Sequence, residues 1–175
     1  MKTKPRTYQY TERDEERKIP KSVNIPLKLL NDALVDIIRK YKPRFGTQKM
    51  NLKSLCDRVY SDKIRFTKSI DWICKCITCW KSYRWDDTQQ WGIQNGHYKS
   101  RAWLKYRFDD DNCRPQCWAC NCAKNGNYPV YREVIERKFG EERERRVFFD
   151  KEVVSIPAWK YVEMIIDYYW YLPTK

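Results

Sequence analysis

The sequence predicts an α+β protein that is mostly helical, with a small cysteine-bearing β region between helical segments. Segments on both sides of the middle repeat apolar residues at helical spacing. Residues 70–121 lose that spacing and are rich in β-branched and aromatic residues, which favour short strands. The same stretch contains two Cys-x-x-Cys pairs. A chain of 175 residues fits one domain, or one domain with arms.

The helices can be placed in chain order. After an N-terminal arm, "IPLKLLNDALVDIIRKYKP" predicts a helix with Pro26 in its first turn and Pro43 at its end. A second amphipathic helix is predicted from "NLKSLCDRVYSDKIRF", in which Cys56 reads as a small core residue. Three further helices are predicted from "YPVYREVIERKFG", "EERERRVFF" and "PAWKYVEMIIDYYWYLP". We therefore expect four segments: a basic, flexible arm (1–24), a helical basic region (25–69), a cysteine-bearing core (70–132) and C-terminal helices (133–175).

The charge of the chain predicts a nucleic-acid partner. The net charge is +13, and the stretch from Arg39 to Lys68 contains ten Lys/Arg and two Asp. Such a one-signed surface is typical of nucleic-acid binding, with anionic lipid as the lesser alternative. No apolar run approaches the roughly 18 residues of a membrane span, and "MKTKPRTYQY" lacks the apolar core of a signal peptide. We expect no membrane contact and a cytoplasmic location.

The eight cysteines predict a metal site, because a reducing compartment disfavours disulfides. Two Cys-x-x-Cys pairs separated by 37 residues, Cys76/Cys79 and Cys117/Cys120, are typical of a closed structural Zn²⁺ site. A zinc with four thiolate ligands does no chemistry, but it stabilises a region that is too short to build its own core. A ligand set with Cys113 in place of Cys117 is the main alternative. The cysteines whose roles stay open are Cys56, Cys74, Cys113 and Cys122.

His97 is the only histidine, and it lies between the two cysteine pairs. A lone histidine is ordinarily a hydrogen-bonded structural residue. The sequence around His97 favours a functional role, because basic and aromatic residues alternate directly after it. These residues are Tyr98, Lys99, Arg101, Trp103, Lys105, Tyr106, Arg107 and Phe108.

The order His, Asn, Cys-x-x-Cys, Asn resembles the ββα-metal (HNH-type) nucleases that have a zinc-stapled frame. More closely, "CITC…NGHYKSR…RFDDDNCRPQCWACN…NGNYPVYR" is similar to the NinG (Rap) family of phage recombination proteins, over about residues 74–132. Endonuclease VII, a phage junction resolvase, has a related arrangement. The resemblance implies a zinc-stapled ββα-metal core. It also implies a metal-dependent endonuclease that cleaves Holliday junctions and other branched recombination intermediates, in the host cytoplasm if the protein is phage-encoded.

The resemblance also implies roles for individual residues. His97 matches the general base that activates water, a task that suits an imidazole. Asn121 matches the ligand of a catalytic Mg²⁺ or Mn²⁺. Asn112 matches the residue that braces the histidine loop, and Arg101 is expected to clamp a phosphate.

The sequence departs from the nuclease pattern at Gly96. Many HNH and resolvase sites carry Asp directly before the histidine, as a second metal ligand. Here that ligand must come from elsewhere, and Asp109, Asp110 and Asp111 are candidates, although each reads equally well as a turn or helix-cap residue.

Two functions remain open at this point. The first is the branch-selective endonuclease, and the alternative is a zinc-stabilised accessory protein that binds branched DNA without cutting it. A homodimer would serve a symmetric junction most simply, and host or phage recombination proteins are further expected partners. The residues expected to contact DNA are Lys53, Arg58, Lys99, Arg101, Lys105 and Arg107.

Overall fold

The structure, a computed structural model, describes residues 23–25, 29–89 and 91–173. About half of these residues are helical, when short 3₁₀ and π segments are included, and the strands form small two-stranded sheets. The protein is therefore mixed α/β. The sequence reasoning overestimated the helical share, because turns and short strands occupy most of the region between residues 68 and 127.

The helices and strands follow the order that the sequence pattern predicts, with two additions. The helices are α1 (Asp32–Tyr41), α2 (Leu52–Thr67), α3 (Leu104–Arg107), α4 (Tyr128–Phe139), α5 (Glu141–Phe149) and α6 (Ala158–Trp170). The strands are β1 (Val23–Asn24), β2 (Met50–Asn51), β3 (Ile73–Lys75), β4 (Ser82–Arg84), β5 (Ile93–His97) and β6 (Cys113–Cys117). The short helix α3 and the parallel β1–β2 pair were not predicted. Both are too short to leave a periodic signal.

The chain divides into two compact units. The terminal unit contains the described residues up to Tyr60 together with those from Ile156 onward, and the central unit is Ser61–Ser155. The four segments expected from the sequence have other boundaries, and α4 runs through the expected boundary between 132 and 133. Most of the residues predicted to carry chemistry lie in the central unit.

The terminal unit buries the apolar faces of α1, α6 and the first part of α2. The side chain of Asn31 caps α1 by accepting a hydrogen bond from the Leu34 amide at 2.8 Å, and the helix ends just before Pro43. The helix α1 begins at Asp32, later than the predicted first turn at Pro26, because Asn31 caps it. Pro26 itself and residues 1–22 of the predicted arm lie outside the described residues. In α2 the buried positions include Leu52, Leu55, Cys56 and Val59.

The central unit has a core rich in tyrosine. Its buried residues come from the first cysteine pair, the loop after β5, α4 and α5, and they are Ile77, Tyr98, Tyr106, Tyr131, Val134, Ile135 and Val147. Helix α4 ends at Gly140, whose φ of +88° suits glycine, and α5 begins at the next residue. Among the described residues, no helix is long and apolar enough to span a bilayer.

Candidate metal centre and active site

Four cysteine side chains of the central unit converge on one point. The Sγ atoms of Cys76, Cys79, Cys117 and Cys120 all lie within 4.8 Å of one another, and the Cys79 and Cys117 sulfurs are 3.7 Å apart. Four sulfurs at about 2.3 Å from a tetrahedral Zn²⁺ would lie about 3.8 Å from one another. Three of the four residues are buried and Cys79 is half-buried. These cysteines could hold a structural metal such as zinc.

The surroundings of Cys76 favour its thiolate. Burial alone would raise the pKa of this thiol, but the Thr78 hydroxyl and backbone N–H groups of Cys117, Cys79 and Thr78 lower it to about 6. By contrast, burial and contacts with neighbouring thiols raise the pKa of Cys79 to about 12. The group of four thus ionises unevenly, and a cation would favour the remaining thiolates.

The other cysteines of the central unit are not part of this group. Cys113 pairs with His97 across the β5–β6 ladder, and its Sγ lies 3.7 Å from the Arg107 carbonyl oxygen. Cys74 is buried in β3, where burial raises the pKa of its thiol to about 11. Cys122 is exposed. The geometry therefore favours Cys117 over Cys113 as the metal ligand.

The hairpin of β5 and β6 connects the metal centre to the histidine. The strands are antiparallel, with Ile93 opposite Cys117 and His97 opposite Cys113. The first cysteine pair is tied to β6 because the Ile77 amide donates to the Pro115 carbonyl at 2.8 Å. A metal bound at this end of the hairpin would thus support the strand that ends at His97.

The ring of His97 is oriented by a backbone carbonyl. Its Nε2 lies 3.1 Å from the carbonyl oxygen of Arg107. A carbonyl can only accept a hydrogen bond, so Nε2 must carry the proton. The neutral imidazole then has its lone pair on Nδ1, which is the arrangement that a general base requires.

Asn112 braces the loop between β5 and β6. It is fully buried; its Oδ1 accepts from the Lys99 amide at 2.6 Å, and its Nδ2 donates to the carbonyls of Lys99 and Tyr106 at 3.0 and 2.9 Å. The Tyr98 amide donates to the Asn112 carbonyl at 2.9 Å. One side chain therefore satisfies three backbone groups of the segment that carries Arg107, the partner of His97.

Asn121 lies on the π-helical turn Ala119–Ala123, directly after the last ligand cysteine. Its Nδ2 donates to Oε1 of Gln94 at 2.7 Å, and the Cys122 thiol donates to the same oxygen at 3.3 Å. Because its nitrogen donates to Gln94, the amide of Asn121 keeps Oδ1 as its acceptor atom. Oxygen is the atom that a Mg²⁺ or Mn²⁺ ion would use.

Gln94 and His97 occupy different faces of β5. Side chains alternate along a strand, so Gln94 and Gly96 share one face while Asn95 and His97 share the other. Asn121 therefore meets the Gln94 face, and His97 stands on the opposite face at the last position of the strand.

The absence of a carboxylate at position 96 has a steric cause. A Cβ built on Gly96 would lie 2.7 Å from Cβ of Gln116 and 2.4 Å from its Oε1. Gln116 is fully buried and donates to the Gly126 carbonyl at 2.6 Å and to the Thr78 hydroxyl at 3.3 Å. The strand therefore tolerates only glycine at 96 while Gln116 keeps this position.

The three aspartates considered as replacement ligands form ion pairs instead. Asp110 binds the Lys63 ammonium at 2.5 Å. Asp111 binds the guanidinium groups of Arg143 and Arg146 at 3.2 and 2.6 Å. Oδ1 of Asp109 accepts from the Asp111 amide at 2.7 Å, as expected for the turn interpretation.

Some of the basic residues predicted to contact DNA are exposed, and others are buried or already paired with groups of the protein. Lys99 is 6% exposed and donates to the carbonyls of Phe148 and Asp150 at the end of α5, and Arg107 is 9% exposed. Their burial argues against direct phosphate contacts by either residue. Lys105 pairs with Asp150 and Glu152. The remaining members are Lys53 and Arg101, which are exposed, and Arg58, which is half-buried over the Phe45 ring.

Sequence reasoning missed Gln94, Gln116 and Asn95. Gln94 could have been found by stepping back two residues from Gly96, because strand residues two apart share a face. Gln116 left no signal, because its contact with Gly96 crosses the hairpin diagonally. Asn95 has a buried Oδ1 without a hydrogen-bond donor, on the face of His97. Such an acceptor suits a bound water or a cation.

These features define a mixed α/β protein with a four-cysteine centre that could hold a structural metal, and with a histidine-bearing hairpin attached to that centre. The family described as "Bacteriophage Lambda NinG protein" matches residues 36–169. The chain belongs to this NinG family.

Two curated relatives are similar to part of the chain. They are "Protein ninG" of Escherichia phage 933W and "Protein ninG" of Enterobacteria phage VT2-Sa, each 34% identical over 80 residues. The matched segment is 44% of this chain and 36% of each relative, so the chain spans about a third of the length of these proteins. No solved structure matches the chain.

Proposed function

We propose that the protein is a metal-dependent endonuclease that cuts branched DNA, such as Holliday junctions, during phage recombination in the host cytoplasm. The observation that carries this proposal is the hydrogen bond between His97 Nε2 and the Arg107 carbonyl. It leaves the imidazole in the tautomer that can take a proton from water through Nδ1. The proposal is also supported by the resemblance of the sequence to the zinc-stapled ββα-metal nucleases, in which the histidine is followed by a ligand of the catalytic metal.

The second part of the proposed site is Asn121. Its Oδ1 would bind Mg²⁺ or Mn²⁺, with Gln94 holding the amide in the correct orientation. Such an ion, when bound, stabilises the charge that develops on the phosphate and on the leaving 3′ oxygen. Because His97 stands on the other face of β5, the scissile phosphate would have to lie across the strand to meet both groups.

The selectivity for branches would come from the shape of DNA. Lysine and arginine contacts with phosphates position a protein on DNA without reading its sequence. Arg101 is exposed on the loop after His97, where it could clamp a phosphate beside the cut. Two copies of the chain acting together would cut both strands of a symmetric junction, and other recombination proteins would deliver it.

A non-catalytic accessory that binds branched DNA is the second candidate. This candidate is favoured because the group that contacts Asn121 is uncharged. Gln94 is an amide, and Asp110 and Asp111 are engaged by Lys63, Arg143 and Arg146. Mg²⁺ sites usually contain at least one carboxylate, so a site of amides would bind the ion weakly.

One experiment separates the two candidates. The purified chain would be incubated with a four-way junction and with linear duplex of equal length, with and without Mg²⁺ or Mn²⁺. We expect cuts in the junction that depend on the added metal and are at least tenfold faster than cuts in the duplex. Tight junction binding without cuts under any metal condition would reject the nuclease and leave the accessory protein.

A further inference from the structure

The hairpin tip at residues 70–73 is an exposed apolar projection of the central unit. Ile70 and Ile73 exchange two backbone hydrogen bonds of 2.9 Å, which closes a two-residue turn over Asp71 and Trp72. The side chains of Ile70, Trp72 and Ile73 are 80%, 49% and 39% exposed. Three large apolar side chains thus stand in water on one tight turn.

The backbone of this tip has an unfavourable conformation. Asp71 has a φ of +48° and Trp72 a φ of +67°. Turns with two positive φ angles strongly prefer Asn, Asp and Gly, so Asp71 fits and Trp72 does not. A bulky residue in this region is strained, and such strain collects at sites that bind or switch.

The base of the tip is rigid. The Trp72 ring lies 6.0 Å from the Phe66 ring and 6.3 Å from the Trp85 ring, and Trp85 is almost fully buried. The Trp85 amide donates to the Trp72 carbonyl at 3.0 Å, and the Arg65 guanidinium donates to the Trp85 carbonyl at 2.8 Å. Packing therefore holds the strained turn in place.

The surface around the tip carries more positive than negative charge. Lys68, Lys75, Lys81 and Arg84 are exposed on or beside strands β3 and β4, whereas Lys63 and Arg65 are buried and paired with Asp110 and Asp62. Asp71 lies on the tip itself, and Asp86 pairs with Arg84 at 3.1 Å. Positive charge around an apolar projection matches DNA, whose phosphates surround apolar base stacks. This surplus of positive charge favours DNA over a protein as the partner.

We propose that the hairpin tip inserts Ile70, supported by Trp72, between base pairs at the branch point of DNA and unstacks them. The inference rests on the proposed function in one respect, namely that branched DNA is the partner. Branch points are where stacking is already interrupted, so a wedge meets less resistance there than in a continuous duplex. The tip would thus supply the structural selectivity that phosphate contacts lack.

The test uses a four-way junction with 2-aminopurine beside the branch point, in EDTA so that no cutting occurs. The fluorescence of this base rises when it is unstacked. The parent chain should raise the signal on the junction and leave linear duplex unchanged. Ile70→Ser should abolish most of the rise and weaken junction binding about tenfold, because the apolar surface that isoleucine buries between the bases is lost. Ile70→Leu should restore both.

Val153→Ser is the matched control, because Val153 is 88% exposed and lies in the irregular stretch between α5 and α6. It should behave like the parent, and all variants should keep the same zinc content and melting temperature. A parent chain that binds the junction without any fluorescence rise would overturn the wedge. So would equal behaviour of Ile70→Ser and Val153→Ser, which would leave protein docking as the use of the tip.

The wedge and the nuclease can fail separately. Cleavage is measured on the same junction after Mg²⁺ is added. A fluorescence rise without cuts would reject the nuclease and keep the wedge. Cuts without a rise would reject the wedge and keep the nuclease.

Discussion

Nε2 of His97 lies 3.1 Å from the Arg107 carbonyl oxygen, which can only accept a hydrogen bond, so the neutral imidazole would have Nδ1 as its basic nitrogen. The sequence singles out His97 and Asn121 because both stand at informative distances from the cysteine pairs, and their roles stay predictions. It could not predict the tautomer of His97. The group that favours this tautomer is the backbone carbonyl of residue 107, ten residues away, and that carbonyl is present whatever the side chain there. Nor could it predict Gln94, whose role depends on which face of β5 meets Asn121.

We expect His97→Gln to lose roughly 10²- to 10⁴-fold of the cleavage rate while keeping zinc, fold and junction binding. The glutamine amide can still donate to the Arg107 carbonyl, but it has no basic nitrogen. Single-turnover cleavage of a junction measures the loss, and thermal unfolding checks the fold. His97→Ala should lose as much activity. A near-parental rate in the glutamine variant would mean that His97 has only a structural role.

Gln94 and Asn121 should control the requirement for Mg²⁺ or Mn²⁺. Gln94→Leu removes the acceptor that orients Asn121, so we expect about tenfold more metal to be needed for half-maximal cleavage. Asn121→Ala should need still more metal, and both variants should keep their zinc.

Gln94→Glu accepts the same hydrogen bond and adds a negative charge, so it should need less metal than the parent. Metal titrations of cleavage, with Mn²⁺ binding measured by calorimetry, check this ordering. An unchanged metal requirement in all three variants would remove this face of β5 from the site.

At the scale of elements, the two cysteine pairs meet at one end of the β5–β6 hairpin, where a bound metal would hold the hairpin in place. Their x₂ spacing was sufficient to predict which four cysteines converge, because a tight turn brings both sulfurs of a pair to one side. The loop between the strands was not predictable in this way. Its course depends on buried tyrosines, on the short helix α3 and on hydrogen bonds made by Asn112, and none of these has a periodic pattern.

Cys117→Ser should lose the bound zinc and unfold the central unit at lower temperature, because the binding energy of a structural zinc is also folding energy. Cys113→Ser is the matched control, since Cys113 is equally buried on the same strand but lies outside the group of four. It should retain one zinc per chain. Atomic absorption on purified protein measures the metal content. The reverse result would show that the ligand set includes Cys113.

Asn112→Ala should destabilise the loop that orients His97. The variant leaves the amide of Lys99 and the carbonyls of Lys99 and Tyr106 without their partner. Buried groups in this condition cost about 1–3 kcal/mol each, and partial access of water lowers the sum, so we expect a loss of about 3 kcal/mol in the free energy of unfolding. Urea denaturation measures it. A loss below about 0.5 kcal/mol would show that the loop does not depend on this brace.

At the scale of the whole molecule, a net charge of +13 is the strongest pointer to DNA. Composition predicted the charge excess but not its distribution. Lys99 and Arg107 are buried, and Lys105, although exposed, pairs with Asp150 and Glu152. The pairing partners, Asp150 and Glu152, lie more than forty residues away in the sequence. Only the folded chain shows which charges remain.

DNA binding should therefore weaken steeply with salt. Lys53→Gln combined with Arg58→Gln should reduce the slope of log K against log salt by about two, and should weaken junction and duplex binding similarly. Arg137→Gln with Lys160→Gln is the control, because both residues are exposed but pair with Glu133 and Glu163. Fluorescence anisotropy at several salt concentrations provides the slopes. A parent slope near zero would exclude phosphate contacts as the main source of affinity.

The close approach of Gln116 to Gly96 links two positions that are twenty residues apart in the sequence. A mutation that introduces a carboxylate at 96 alone should be selected against, even if a second metal ligand there would improve catalysis. Shortening the side chain at 116 to alanine would leave its Cβ 2.7 Å from the new Cβ, so only glycine at 116 removes both contacts. We therefore expect the two positions to covary among relatives, with acidic residues at 96 accompanied by glycine at 116. The double replacement Gly96→Asp with Gln116→Gly would create that second pair of residues.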